Sequence, residues 1–286
     1  MKVLVTGAGG RTGQAIVPAL LRAGHTVRFL TRQVREGGPL ARTAGMETAV
    51  GDLGSDADVA RAMSGVDAVY HIPPNMNPDE IPFGKRVVEA AAKARVRHFV
   101  YHSVLRPQLR ALTHHWNKLF VEEAVIESGL PFTILQPSSY MQNVLIDWKG
   151  IVDNGVHTLG FSVAVKLSLV DLDDVAAVAA KVLGNAEHFG AIYELCGPES
   201  ISGEDKAKAL AIALGKPVRA AQESIADFKR KASAAGVPAH VVETRAAMFE
   251  HYSHTGLIGN ANVLELLLGR KPTSFLDFAR RLAARR

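Results

Sequence analysis

Alternating strand-like and helix-like stretches through the first half of the chain predict a doubly wound parallel α/β sheet, followed by a smaller C-terminal α/β lobe. A glycine-rich turn directly after the first apolar run supports the sheet, and the loss of regularity after Pro137 marks where the second lobe begins.

The first strand is read at 2–6. It runs into Thr6-Gly7-x-x-Gly10-x-x-Gly13 and then into a helical pattern over 14–23. Gly7 lets the chain leave the strand in a tight turn, Gly10 lets the backbone approach a pyrophosphate, and Gly13 lets the helix pack against the strand. The helix N-terminus presents free N–H groups and partial positive charge to an anion. With a strand before it and a helix after it, the pattern is a dinucleotide-binding signature, and the sheet is of Rossmann type. Thr6, Arg11 and Thr12 are counted with the turn as cofactor contacts.

The second strand, 26–31, ends at Thr31-Arg32, where NAD-preferring chains place an acid on the ribose 2′-hydroxyl. A carboxylate there repels a 2′-phosphate and a guanidinium holds one, so the expected cofactor is NADP(H), bound by Arg32 with Arg11 as a second clamp. The third strand, 47–50, leads to Gly51-Asp52-Leu53. Asp52 either bonds the adenine edge or caps the helix starting near Ser55, with Leu53 beside it. The fourth strand, 67–72, carries His71 and Ile72 into a loop marked by Pro73, Pro74 and Pro78, where a nicotinamide would pass. Strands at 98–103 and 132–136 complete the run, and Pro137 closes it.

Beyond Pro137, residues 166–170 and a helix over 172–183 read as one more strand and helix of the same sheet. Asp171, Asp173 and Asp174 suit that helix's N-terminal dipole. A strand from Ile192, a turn at Gly197-Pro198 and a helix capped by Ser202 and Asp205 follow, and Gly215-Lys216-Pro217 ends the helix. Helices near 224–235, 238–252 and 274–284 complete the smaller lobe. The expected domains are 1–148 plus 165–184 for the dinucleotide and 149–164 plus 185–286 for the substrate side.

With 286 residues the chain can bury a substantial core. Its single cysteine, Cys196, excludes an intramolecular disulfide and a cysteine metal cluster. No charged-then-apolar leader and no bilayer-length apolar run is visible, so cytoplasm is the expected compartment and no membrane partner is expected. The net charge of +5 is scattered, which argues against nucleic acid; only Arg280, Arg281, Arg285 and Arg286 cluster, as a solvated helix end. No metal is expected: adjacent His114 and His115 diverge on a helix, and His251 and His254 lack a third ligand. The absence of a Gly-x-Ser-x-Gly elbow sets hydrolases aside.

The glycine turn, Gly51-Asp52-Leu53, the segment 135–143 and the segment 193–199 together resemble the NmrA-like branch of the atypical short-chain dehydrogenase/reductase superfamily, over nearly the whole chain. That resemblance implies NADP(H) and, among its members, reduction of quinones, triphenylmethane dyes or benzylic ethers, or redox sensing without turnover. The superfamily site pairs a serine after the fifth strand with Tyr-x-x-x-Lys on the next helix. Here Ser103 and Lys118 are kept, and His114 replaces the tyrosine. Spacing of four places His114 and Lys118 on one helical face. Lys118 also matches the acid/base lysine of benzylic-ether reductases and counts as a cofactor contact through ribose. Protonation then falls to water, His114 or Lys118. His71, Tyr140, Met141 and Asn143 are expected to line a pocket for a flat substrate, and Pro137 to meet the cofactor.

The expected function is an NADPH-dependent reductase of a flat conjugated acceptor, a quinone or an aromatic dye. Its alternative is an NADP(H)-binding redox sensor that regulates a protein partner. A nucleotide-sugar epimerase would need the missing tyrosine. A homodimer stays open.

Overall fold

The computed structural model of the chain describes residues 1–33 and 44–285. The chain divides into two compact units, Met1–Gln108, His115–Gln136 and Val175–Tyr193 in the first, and Leu109–His114, Pro137–Asp174 and Glu194–Arg286 in the second. The expected boundaries differ from these in leaving 109–114, 137–148 and 165–174 with the first unit and 185–193 with the second.

The elements of the first half are β1 (Lys2–Val5), α1 (Arg11–Arg22), β2 (Thr26–Thr31), β3 (Met46–Val50), α2 (Asp56–Met63), β4 (Ala68–His71), α3 (Glu80–Ala94), β5 (His98–His102), α4 (Thr113–Glu127) and β6 (Phe132–Pro137). After them come β7 (Ser139–Tyr140), α5 (Trp148–Asn154), β8 (Val156–Leu159), β9 (Leu167–Val170), α6 (Leu172–Val182), β10 (Ala191–Leu195), β11 (Ser200–Ile201), α7 (Gly203–Leu214), β12 (Arg219–Gln222), α8 (Ile225–Ala234), α9 (Ala239–Thr255), α10 (Asn262–Leu268) and α11 (Phe275–Ala283).

The main sheet is Rossmann-like, with seven strands in the order β10-β6-β5-β4-β1-β2-β3. β1 pairs in parallel with both β2 and β4, so the chain reverses its direction of travel across the sheet at β1, and ligands in such sheets bind beyond the strand ends there. β4 and β5 are buried along their whole length, as central parallel strands covered on both faces must be. Tyr70, Phe99 and Tyr101 are the largest side chains they bury.

One expectation is corrected here. Residues 167–170 form β9 of a separate three-stranded sheet, β11-β9-β7, and the strand that closes the main sheet is β10. Gly190 N–H donates to Phe132 O (2.7 Å) at one end of the β6/β10 pair and Ser138 N–H donates to Leu195 O (2.9 Å) at the other, so the two strands run the same way. Periodicity identifies a strand and is silent on its neighbour.

In the second unit, buried Asp171 and Asp174 organise the start of α6. Gln142 Nε2 donates to Asp171 (2.7 Å) and its Oε1 accepts the N–H of Leu172 (3.2 Å). Arg281 reaches Asp171 and Asp173 from α11, while Arg270 and the N–H of Thr273 take Asp174. Arg281 is therefore an anchor of the C-terminal helix rather than part of a solvated end; Arg286 lies outside the described residues. α7 carries the expected reciprocal cap between Ser202 and Asp205, and it ends at Gly215 in the left-handed region at φ +64°.

Three buried histidines of β4 and β5 are held neutral. His98 Nδ1 accepts the N–H of Gly184 (2.9 Å), and its Nε2 donates to Thr133 Oγ1 (3.0 Å), whose hydroxyl is committed to His188 O. Burial pulls His98 down to about 4. Burial and then the Lys118 charge pull His71 and His102 down to about 3. Below the ordinary histidine range the unfolded chain takes up protons that the native chain refuses, so stability is full above about pH 6.5 and falls as pH drops towards 4, by about 1.4 kcal/mol per pH unit for each such histidine. Urea midpoints measured from pH 7.5 to 4.5 are expected to drop steeply below 6.5; a flat profile contradicts this protonation scheme.

Candidate functional site

The C-terminal end of β1 is tied to the end of β4 by one hydroxyl. Thr6 Oγ1 donates to Ile72 O (3.1 Å), accepts the N–H of Ile72 (3.0 Å) and bonds His71 Nδ1 (2.7 Å). Gly7 follows at φ +65°, where a Cβ would also stand 2.8 Å from Ile72 O. A Cβ on Gly13 would lie 2.4 Å from Ala8 Cα and O, so glycine there brings α1 onto the turn. Gly10 is different, since a Cβ would meet nothing closer than 3.4 Å. Among the described residues no atom demands that glycine, so its place in the pattern is consistent with close approach of a pyrophosphate.

α1 begins without a side-chain cap on Gly10 and without an acid in its first turn. The dipole of such an end favours an anion, and exposed Arg11 and half-buried Thr12 lie in the same turn. Arg32 is exposed one residue beyond β2. The turn, its open helix end and the arginines fit a dinucleotide phosphate. Asp52 shapes the neighbouring loop: its Oδ1 accepts the N–H of Gly54 (2.7 Å) and its own N–H donates to Asp58 (3.0 Å). The cap of α2 is Ser55, so the capping alternative for Asp52 falls away. Leu53 is half-buried, and Ile72 and Pro73 are buried at the end of β4.

His71 has no exposed surface; it stacks on Tyr101 with ring centroids 5.7 Å apart and supports Thr6. In this arrangement it meets protein on all sides and lines no pocket, contrary to expectation.

Ser103 and Lys118 enter two carboxylate contacts that the sequence reading missed. Ser103, 3% exposed, donates its hydroxyl to Glu122 on α4, which also accepts both bonds of Gln136 Nε2 (2.9 and 3.0 Å). Lys118 Nζ pairs with Glu80, the first residue of α3, whose side chain is fully buried. Burial pushes both carboxyls up; the Lys118 charge opposes this at Glu80, and the Ser103 and Gln136 bonds oppose it at Glu122. Burial, then the fields of Glu80 and Glu122, push the Tyr101 hydroxyl well up. Spacing four beyond Lys118 on α4 was a signal for Glu122. Glu80 had none, because 38 residues separate it from its partner.

His114 opens α4 one turn before Lys118 and is half-buried; it belongs to the second unit, as do Pro137, Tyr140, Met141 and Asn143. Met141 is 2% exposed and packs where Gly197 leaves room, so it fills the interior of that unit and offers no pocket surface. Tyr140 is half-buried on β7, paired with Val170, and Asn143 is exposed with its Nδ2 on Ser139 Oγ (3.3 Å). Among the described residues no group of three or more His, Cys, Asp or Glu could hold a metal ion, and no helix is long and apolar enough to cross a membrane.

The NmrA-like family model matches residues 1–279. The chain belongs to the NmrA-like family. This NmrA-like protein is 29% identical to an NAD(P)H azoreductase of Xenophilus azovorans over 99% of its own length and 98% of the relative's. It is 33% identical to a (4-alkanoyl-5-oxo-2,5-dihydrofuran-3-yl)methyl phosphate reductase of Streptomyces griseus, over 97% and 96%. The crystal structure of the NADPH-dependent quinone oxidoreductase of Escherichia coli complexed with NADPH superposes with a TM-score of 0.85 at 26% identity, covering 98% of this chain and 99% of that one.

The steric reading of the turn separates its glycines. Gly13→Ala is expected to cost about 1–3 kcal/mol through overpacking. Gly9→Ala, with nothing within 4 Å of the added carbon, should leave stability unchanged. Thermal melts without cofactor check both, and equal melting temperatures would contradict the packing of α1 on Ala8.

Proposed function

We propose that this NmrA-like protein is an NADPH-dependent reductase of flat conjugated acceptors, quinones or aromatic dyes. The reading is carried by the glycine cradle at Gly7 and Gly13 with its uncapped helix end, present in a chain whose end-to-end relatives are named as reductases. NADPH, when bound, supplies the hydride. Gly7, Gly10, Thr12 and Gly13 would hold its phosphates, Arg32 and Arg11 its 2′-phosphate, and Ile72, Pro73 and Lys118 would take the nicotinamide side; Thr6, buried with its hydroxyl spent on Ile72 and His71, supports the turn rather than meeting the cofactor as the sequence suggested.

The chain's own part is to bind, to orient and to hold one proton. Lys118 presents an ammonium held by Glu80, whereas the Ser103 hydroxyl proton is already committed to Glu122. Ser103 therefore orients α4 against β5 and gives no proton directly. Reduction of a quinone leaves an oxygen anion that water or a nearby cation can protonate, so the superfamily tyrosine is dispensable for this acceptor class. The named relatives favour turnover over the sensor alternative.

Purified protein mixed with NADPH and a panel of quinones and aromatic dyes is expected to consume cofactor, read at 340 nm; tight binding without turnover on any acceptor refutes the proposal. Arg32→Glu should erode the preference for NADPH over NADH by roughly ten- to hundredfold, the worth of a charge-assisted phosphate contact. Cofactor titrations check this, and an unchanged ratio removes Arg32 from the site.

A further inference from the structure

We infer that Glu80 is a positioning residue of this site, its carboxylate fixing the Lys118 ammonium at the C-terminal ends of β4 and β5. The inference rests on the reading of Lys118 as a group that touches cofactor or acceptor.

Glu80 opens α3, the helix that follows the C-terminal end of β4, and Lys118 lies near the start of α4, the helix that follows β5, so their contact falls on the strand-end side where ligands of such sheets bind. The pair is nearly dry, with the Lys118 side chain 11% exposed and that of Glu80 0%. A buried ion pair is a weak device for stability, because desolvation of both charges cancels much of their attraction. Nor is it needed to bring α3 onto α4. Gly84 already lets Val121 pack there, within 2.6 Å of where a Cβ would stand. Glu80 Oε2 has no hydrogen-bond partner among the described residues, an arrangement that a contact serving packing alone would not favour.

The groups facing the pair from each neighbouring element leave Glu80 as the partner of Lys118. His71 on β4 and His102 on β5 are neutral, Tyr101 keeps its proton, and Glu122 on α4 is engaged by Ser103 and Gln136. The first turn of α3 adds a helix dipole that favours negative charge on Glu80.

A double-mutant cycle tests this, using Glu80→Gln, Lys118→Met and the double variant, with Glu80→Asp as the conservative replacement. Turnover is read with NADPH and a 1,4-benzoquinone, cofactor affinity by nicotinamide fluorescence, and folding by near-ultraviolet circular dichroism. Glu80→Gln should lower kcat about tenfold with NADPH affinity held within about threefold, and in the Lys118→Met background it should change kcat by less than about twofold. Glu80→Asp should recover part of the loss, and it carries the same comparison if Glu80→Gln does not fold. The double variant removes both charges together and leaves no lone buried ion. Wild-type kcat in Glu80→Gln beside an impaired Lys118→Met overturns the inference and spares the Lys118 reading. Equal losses in both backgrounds also overturn it, assigning Glu80 to the fold alone. Unimpaired kcat and cofactor affinity in Lys118→Met, or a wild type inert towards every acceptor, overturns both.

Discussion

The hydroxyl of Thr6 governs the edge of the sheet from which the site is built. It bridges the ends of β1 and β4 and fixes the His71 ring, so Gly7 turns at a point where a Cβ would stand 2.8 Å from the Ile72 carbonyl oxygen, in a left-handed conformation that glycine adopts without strain. The course of the turn then sets where α1 starts, and Gly13 lets it start hard against Ala8. The helix that starts there carries no side-chain cap and no acid in its first turn. Its anion-binding character is thus a property of backbone geometry before any arginine contributes.

Behind that edge, charge is rationed. Two carboxyls, one ammonium, a tyrosine and two imidazoles share a nearly dry volume at the ends of β4, β5 and the adjoining helices. Their protonation states depend on one another. Burial and then the Lys118 charge pull His71 and His102 down, the same charge opposes the rise that burial imposes on Glu80 and Glu122, and burial and then the two carboxyls push Tyr101 up. In low dielectric such couplings are strong, and altering one member is felt by the others. The second unit uses the same economy elsewhere: Asp171 and Asp174 are buried because Arg281, Arg270, Gln142 and backbone N–H groups meet them.

Much of this was readable from local chemistry. The alternation of strands and helices, the glycine turn, the helix over 203–214 with its Ser202 cap and Gly215 stop, and the absence of an acid at the end of β2 all depend on residues within a few positions of one another. Steric limits on φ and ψ, capping and side-chain period act over that range. The resemblance carried by the glycine turn and the segment 135–143 extended the reading to the family, which the family match bears out.

Long-range pairing was beyond its reach. That β10 rather than β9 closes the sheet, that Arg281 finds Asp171 across 110 residues, that His71 and Met141 are sealed from solvent, and that Lys118 meets Glu80 are all outcomes of packing. Each depends on which apolar faces meet when the core forms. Hydrophobic burial drives that meeting without direction, so the partners it brings together leave no mark in the spacing of residues along the chain.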